Sequence, residues 1–181
     1  KGDIKLNLEN GINLNSNFNS NINFNEKIIE KYTNFHKKYN VLKDVKNLKA
    51  DLNNSFSIEF DDTYKIKDYS YTVSGIIEKI KFELSSPIKN DFVSEKISNI
   101  YLTDLKVRSA FKPKNIKVSG EGKYSFDNSN FQNINIDNKF YNDELNLKLE
   151  FDYKNNIELK LLNYKKPENS VAKLFLDLEK K

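Results

Sequence analysis

Between Ile12 and Phe24 the chain holds a single alternation for thirteen residues. Ile12, Leu14, Phe18, Ile22 and Phe24 fall on even numbers, Ser16 and Ser20 complete that row, and every odd position from Asn13 to Asn23 is Asn. A period of two sorts side chains onto the two sides of an extended strand, whereas a helix would spread both rows around its axis. At about 3.3 Å per residue such a strand reaches on the order of 40 Å. Asn is a poor strand former, so the pattern holds against local propensity. It specifies a ribbon with one apolar and one polar side.

The same signature recurs. Leu48, Ala50 and Leu52 alternate, and Phe56, Ile58 and Phe60 follow beyond an expected Asn53-Asn54-Ser55 turn. Tyr64 and Ile66 start a run, and Ile80, Phe82 and Leu84 end one. Leu105, Val107, Ser109 and Phe111 alternate up to Pro113. Ile116, Val118, Gly120, Gly122, Tyr124 and Phe126 form a longer series, as do Leu145, Leu147, Leu149, Phe151 and Tyr153. Ile157, Leu159 and Leu161 come next, and Ala172, Leu174, Leu176 and Leu178 come last. Asp127-Asn128-Ser129-Asn130 separates two runs, Lys154-Asn155-Asn156 reads as closing a hairpin, and Lys165-Lys166-Pro167-Glu168-Asn169 as opening the final strand. Short links favour antiparallel neighbours, in about nine to eleven strands.

One segment breaks the rule. Ile28, Ile29, Tyr32, Phe35 and Tyr39 are spaced as a helical stripe within residues 26–40, with Asn25 placed as its N-cap. A weaker helix or irregular crossover is expected from Asn90 to Ile100. The expected fold is mainly β: a long, curved, mostly antiparallel sheet, groove-shaped or open and barrel-like, with one amphipathic α-helix. Residues 1–181 read as a single β-rich segment of a larger protein, and a first residue of Lys1 reads as a processed or excised chain.

Composition narrows the chemistry. Cysteine is absent, which excludes a disulfide framework, a thiolate zinc site and a cysteine nucleophile. The 28 Asn, and 29 Lys against one Arg, are the bias of an AT-rich genome. A net charge of +4 with both signs interleaved describes a solvated face and says little about partners. No apolar run approaches the ~18–20 residues that span a bilayer, so any membrane anchor is expected outside these residues.

The reactive side chains do not assemble into a site. His36, the single histidine, sits inside the helical stripe with no second histidine for a metal pair. Asp61 and Asp62 are adjacent, so on a strand they point to opposite faces and cannot form a carboxylate dyad. The stretch from Asp127 to Asn130 lacks the glycine and the glutamate of a calcium loop. Gly120 and Gly122 lie on an apolar row, where they relieve crowding rather than cradle a phosphate. Lys114, Lys117 and Lys123 surround Tyr124, but Glu121 intervenes, against a nucleic-acid patch. The expectation is a chain with no catalytic residue, no metal, no cofactor and no nucleic-acid partner.

Three arrangements use such one-faced ribbons. Two sheets can bury their rows against each other in a β-sandwich, as in a scaffold or adhesin-type binding domain. One sheet can curl and leave its apolar face lining a trough for acyl chains. A barrel can turn that row toward lipid from outside; the helix, the absence of Trp and the lack of aromatic girdles stand against it.

The series from Ile116 to Phe126, from Leu145 to Tyr153, from Ile157 to Tyr164 and from Ser170 to Leu178 resembles the AsmA-like bacterial envelope proteins, closest to the large YhdP and TamB type. The resemblance implies a periplasmic protein attached to the inner membrane through a segment not present here. It further implies a passive hydrophobic groove that helps phospholipid pass between inner and outer membranes, with acyl chains as the guest. The alternation itself nominates the groove-facing positions: Leu14, Phe18, Ile22, Phe24, Ile116, Val118, Tyr124, Phe126, Leu145, Leu147, Leu149, Phe151, Leu159, Leu161, Leu174, Leu176 and Leu178.

Overall fold

In the computed structural model residues 2–8, 12–25, 27–28, 44–90, 93–159, 163–167 and 170–180 are described. They form β1 (Gly2–Asn7), β2 (Ile12–Asn25), β3 (Val45–Phe60), β4 (Ile66–Asn90), β5 (Val93–Lys112), β6 (Asn115–Ser125), β7 (Gln132–Tyr141) and β8 (Glu144–Tyr153). Three more follow: β9 (Ile157–Leu159), β10 (Tyr164–Lys166) and β11 (Ala172–Lys180). Nine of them make one large antiparallel sheet that does not close, in the order β1-β2-β3-β4-β5-β6-β7-β8-β11. The fold is mainly β, as the alternation predicts.

Strict alternation becomes strict register. β2 pairs with β3 without a shift from Ile12 opposite Phe60 to Asn25 opposite Asn47. The longest strand, β4, has 25 residues, about 80 Å if fully extended, and strands of that length must bend. Bulges supply the bends: the β3–β4 register shifts between Lys49 and Ala50, and the β5–β6 register between Thr103 and Lys106. Gly75 (φ +152°) lies so close to β3 that a Cβ there would run into the Asp51 carbonyl oxygen.

Several expectations are corrected. Asn53-Asn54-Ser55 is not a turn but lies within β3. The Asn54 side chain is held chiefly across the sheet: its Nδ2 donates to Ser20 Oγ at 2.8 Å, and its Oδ1 accepts from the Tyr71 hydroxyl at 2.7 Å. Of the helix or crossover expected from Asn90 to Ile100, Asn90 ends β4, Val93 to Ile100 begin β5, and residues 91–92 lie outside the described residues. The β4–β5 register slips between Glu83 and Ile88 and again between Ile88 and Asn90, and such slips break the period of two until it mimics helical spacing. Lys154-Asn155-Asn156 closes no hairpin: β8 pairs with β7 and β11, and β9 pairs with β10 and β5.

The helix expected over 26–40, with His36 inside it, falls almost wholly outside the described residues. Lys27 and Ile28 are helical, and Asn25 Oδ1 accepts the Ile28 N–H at 3.1 Å, as a cap would. Among the described residues no helix is long and apolar enough to cross a membrane, a finding that does not bear on strands.

Candidate functional site

Paired residues in an antiparallel ladder point to the same face, so the register can be read as rows crossing the sheet. One row runs Phe24, Leu48, Ile80, Leu102, Tyr124. Ile22 continues through Ala50 and Ile77 to Leu105, and Leu14 through Ile58 to Tyr69. Farther along the sheet, Ile116 meets Phe111 and Phe140, and Phe140 meets Leu145. Val118 leads through Asn138 and Leu147 to Leu178, Ile136 through Leu149 to Leu176, and Ile134 through Phe151 to Leu174. Phe18 faces Asn54 on the same side. Phe126, just beyond β6, packs edge-on against Tyr124 with ring centroids 5.2 Å apart. The structure therefore brings the nominated positions onto one face, with two exceptions: the side chain of Leu159 and all of Leu161 lie outside the described residues.

That face is deep in the middle and open at its margins. Val45, Ile80, Leu102, Leu105 and Tyr124 form a buried cluster, with Phe82, Ile100, Ile134 and Phe151 packed against it. Toward the edges the same face remains wet: Leu6 is 59% exposed, Leu176 41% and Leu178 47%. All the described strands belong to one sheet, so among the described residues no second sheet lies on the apolar face.

At one end the trough narrows to an apolar recess of about 680 Å³, within the ~300–1,000 Å³ range of small-molecule sites. Ile88 and Ile100 line one side, Tyr124, Phe126, Ile134 and Phe151 the floor, and Tyr153, Ile157 and Leu174 the other side. The chain makes this collar by returning on itself. β5, β6, β7 and β8 are joined by ladders, residues 154–156 leave β8, and β9 pairs back to β5 through Ile157 opposite Val93. Lys166 at the collar is buried, and its ammonium donates to the carbonyls of Lys154 at 2.8 Å, Asn155 at 2.9 Å and Pro167 at 3.1 Å. Three carbonyl dipoles replace the water that a buried cation would otherwise lose. The Tyr124 hydroxyl donates to the Asp152 carbonyl at 2.6 Å, and burial pushes its pKa up, so it stays a neutral donor.

The opposite face is charged. Lys148 pairs with Asp177 at 3.0 Å and Lys173 with Glu150 at 2.8 Å, both exposed, and solvent screening leaves such pairs little effect on stability. Among the described residues no group of His, Asp or Glu side chains is placed to hold a metal. Asp61 and Asp127 each organise a turn. Asp127 Oδ1 accepts the N–H of Ser129 at 2.9 Å and of Asn130 at 3.0 Å, and these bonds hold its pKa below the usual carboxylate range. A depressed pKa stabilises the fold above the unfolded value near 3.9, and that contribution fades as pH falls toward the folded value. The urea midpoint of the native chain should therefore exceed that of Asp127→Asn most clearly above about pH 5. The gap should narrow below about pH 4; a gap independent of pH would refute the assignment.

Sequence reasoning missed β7, whose Ile134 and Ile136 alternate with Asn over only two steps, and it missed Lys166, which reads as one charge in a turn. No protein-family model, curated protein or solved structure matches the chain.

Proposed function

We propose that this chain is a non-catalytic hydrophobic-trough module of an AsmA-like envelope protein, holding phospholipid acyl chains on its apolar face. In this reading it works in the periplasm, joined to the inner membrane through a segment outside these residues, and assists phospholipid passage between the two membranes. The supporting observation is a single open sheet whose largely apolar rows cross several strands and lie under no other sheet among the described residues. Each methylene moved from water onto that floor gains roughly 0.8 kcal/mol, while a head group at the wet margin keeps its hydration. Transfer along such a floor needs no covalent step and no cofactor.

The test places a photo-crosslinking residue at Leu147 or at Lys148, neighbours that point to opposite faces of β8. Phospholipid adducts should form at Leu147 and be several-fold scarcer at Lys148. Equal adducts at both positions, or none at either, would count against the trough and favour a scaffold whose apolar rows serve only packing.

A further inference from the structure

The recess at the collar has a cation in its wall and none to spare. Among the described residues that line it, Lys166 is the only charged side chain, and it is buried. An ammonium has three N–H donors, and three carbonyls meet those of Lys166: Lys154, Asn155 and Pro167. A carboxylate or phosphate could reach that cation only by displacing one of them. The Tyr124 hydroxyl is committed as well, donating to the Asp152 carbonyl. The other polar tips in the lining are tyrosine hydroxyls, which offer no charge. An ion moved into such a place loses its hydration and gains no opposite charge in return. The rest of the wall is apolar, with Ile100, Phe126, Ile134, Phe151 and Leu174 among it.

We propose that the recess takes the methyl end of an acyl chain, tail first, and does not recognise the head group that follows. Tail-first entry rests on the reading of the floor as an acyl-chain surface, and it adds which end of the chain leads and where that end lodges. The floor itself supplies the way in. Ile134, Phe151 and Leu174 form one of its rows, Leu149 and Leu176 lie in the next, and all five also line the recess. A tail lying on the floor therefore slides into the recess without crossing a charged row. Lys166 belongs to the wall as a spent cation and not to a head-group clamp. Affinity then falls about fourfold for each methylene removed from the tail and hardly depends on the charge at the other end.

The chain has no Trp, so Phe126→Trp in the recess and Phe140→Trp on the open floor each carry the only indole. The probes are two bromododecanoates, one with bromine on the last carbon and one with bromine beside the carboxylate, since bromine quenches an indole it touches. The tail-brominated isomer should quench Phe126→Trp several-fold more than its counterpart. Phe140→Trp, where a chain can lie in either direction, should be dimmed by both alike. Equal quenching of Phe126→Trp by the two isomers, with Phe140→Trp dimmed, overturns tail-first entry and leaves the floor reading standing. No quenching at either site removes both. Calorimetry on the unsubstituted chain requires no variant to fold: dodecanol and dodecanoate should bind about equally. A preference of about tenfold for dodecanoate, the gain expected of a bond to a charged group, would make Lys166 a clamp and overturn the proposal.

Discussion

Gly122→Ala should lower the stability of the sheet by about 2 kcal/mol, whereas Gly120→Ala, two residues away on the same strand and face, should change it by less than about 1 kcal/mol. The difference comes from what each new methyl would meet. At Gly122 it would lie 2.7 Å from the Leu105 Cα and 3.0 Å from the Thr103 carbonyl oxygen, both backbone atoms fixed in the β5 bulge. At Gly120 the nearest atom is Leu105 Cδ1 at 3.2 Å, the end of a side chain that can turn aside. Both substitutions gain a few tenths of a kcal/mol by restricting the unfolded chain, so only the overlap at Gly122 leaves a large net loss. Thermal midpoints read the contrast directly: a drop of roughly 4–8 °C for Gly122→Ala in a chain of this size. Equal midpoints for the two variants would show that the glycines do not seat Leu105.

The seat explains how much of the fold was legible in the sequence. Where strands are straight, as in β2, β6, β8 and β11, the period of two names both faces, and the register confirms the rows from Ile12 to Phe24 and from Leu145 to Tyr153. Where strands bend, each bulge moves the apolar row to the other parity. Ile77 and Ile80 share a face although one is odd and the other even, as do Leu102 and Leu105. A reader of parity alone therefore loses the phase inside β4 and β5 and mistakes their far ends for a crossover. Asn54 misled for a related reason: a residue that usually marks turns is held in a strand by Ser20 and Tyr71, partners 34 and 17 residues away.

The candidate site divides the same way. Its rows follow from local pattern, but its depth depends on how far the sheet curls, and the collar depends on one long-range pairing, Val93 with Ile157. No local signal records that pairing. The buried cluster includes residues beside the bulges, among them Ile80, Leu102 and Leu105. Curvature and apolar depth thus share a cause, since a bulge both increases the local twist and redirects the side chain beside it. The margins of that face stay accessible.

Replacing Lys166 tests whether the collar is a separate part of that trough. Lys166→Ala removes three charge-assisted hydrogen bonds to the carbonyls of Lys154, Asn155 and Pro167, the last of which still accepts from the Ser170 hydroxyl at 2.9 Å. A bond to a charged group contributes about 1.5–3 kcal/mol, and the desolvation cost of the buried ammonium offsets part of the sum. The net loss should be about 2 kcal/mol, confined to the segment that Lys166 ties down, because among the described residues β9 joins the ladder of the main sheet at a single position. Amide hydrogen exchange should therefore accelerate about thirtyfold in β9 and β10 and stay unchanged in β6 and β7. Exchange that accelerates equally throughout the sheet would mean that the collar and the sheet open as one unit, and that the recess cannot be unlatched without unfolding the trough.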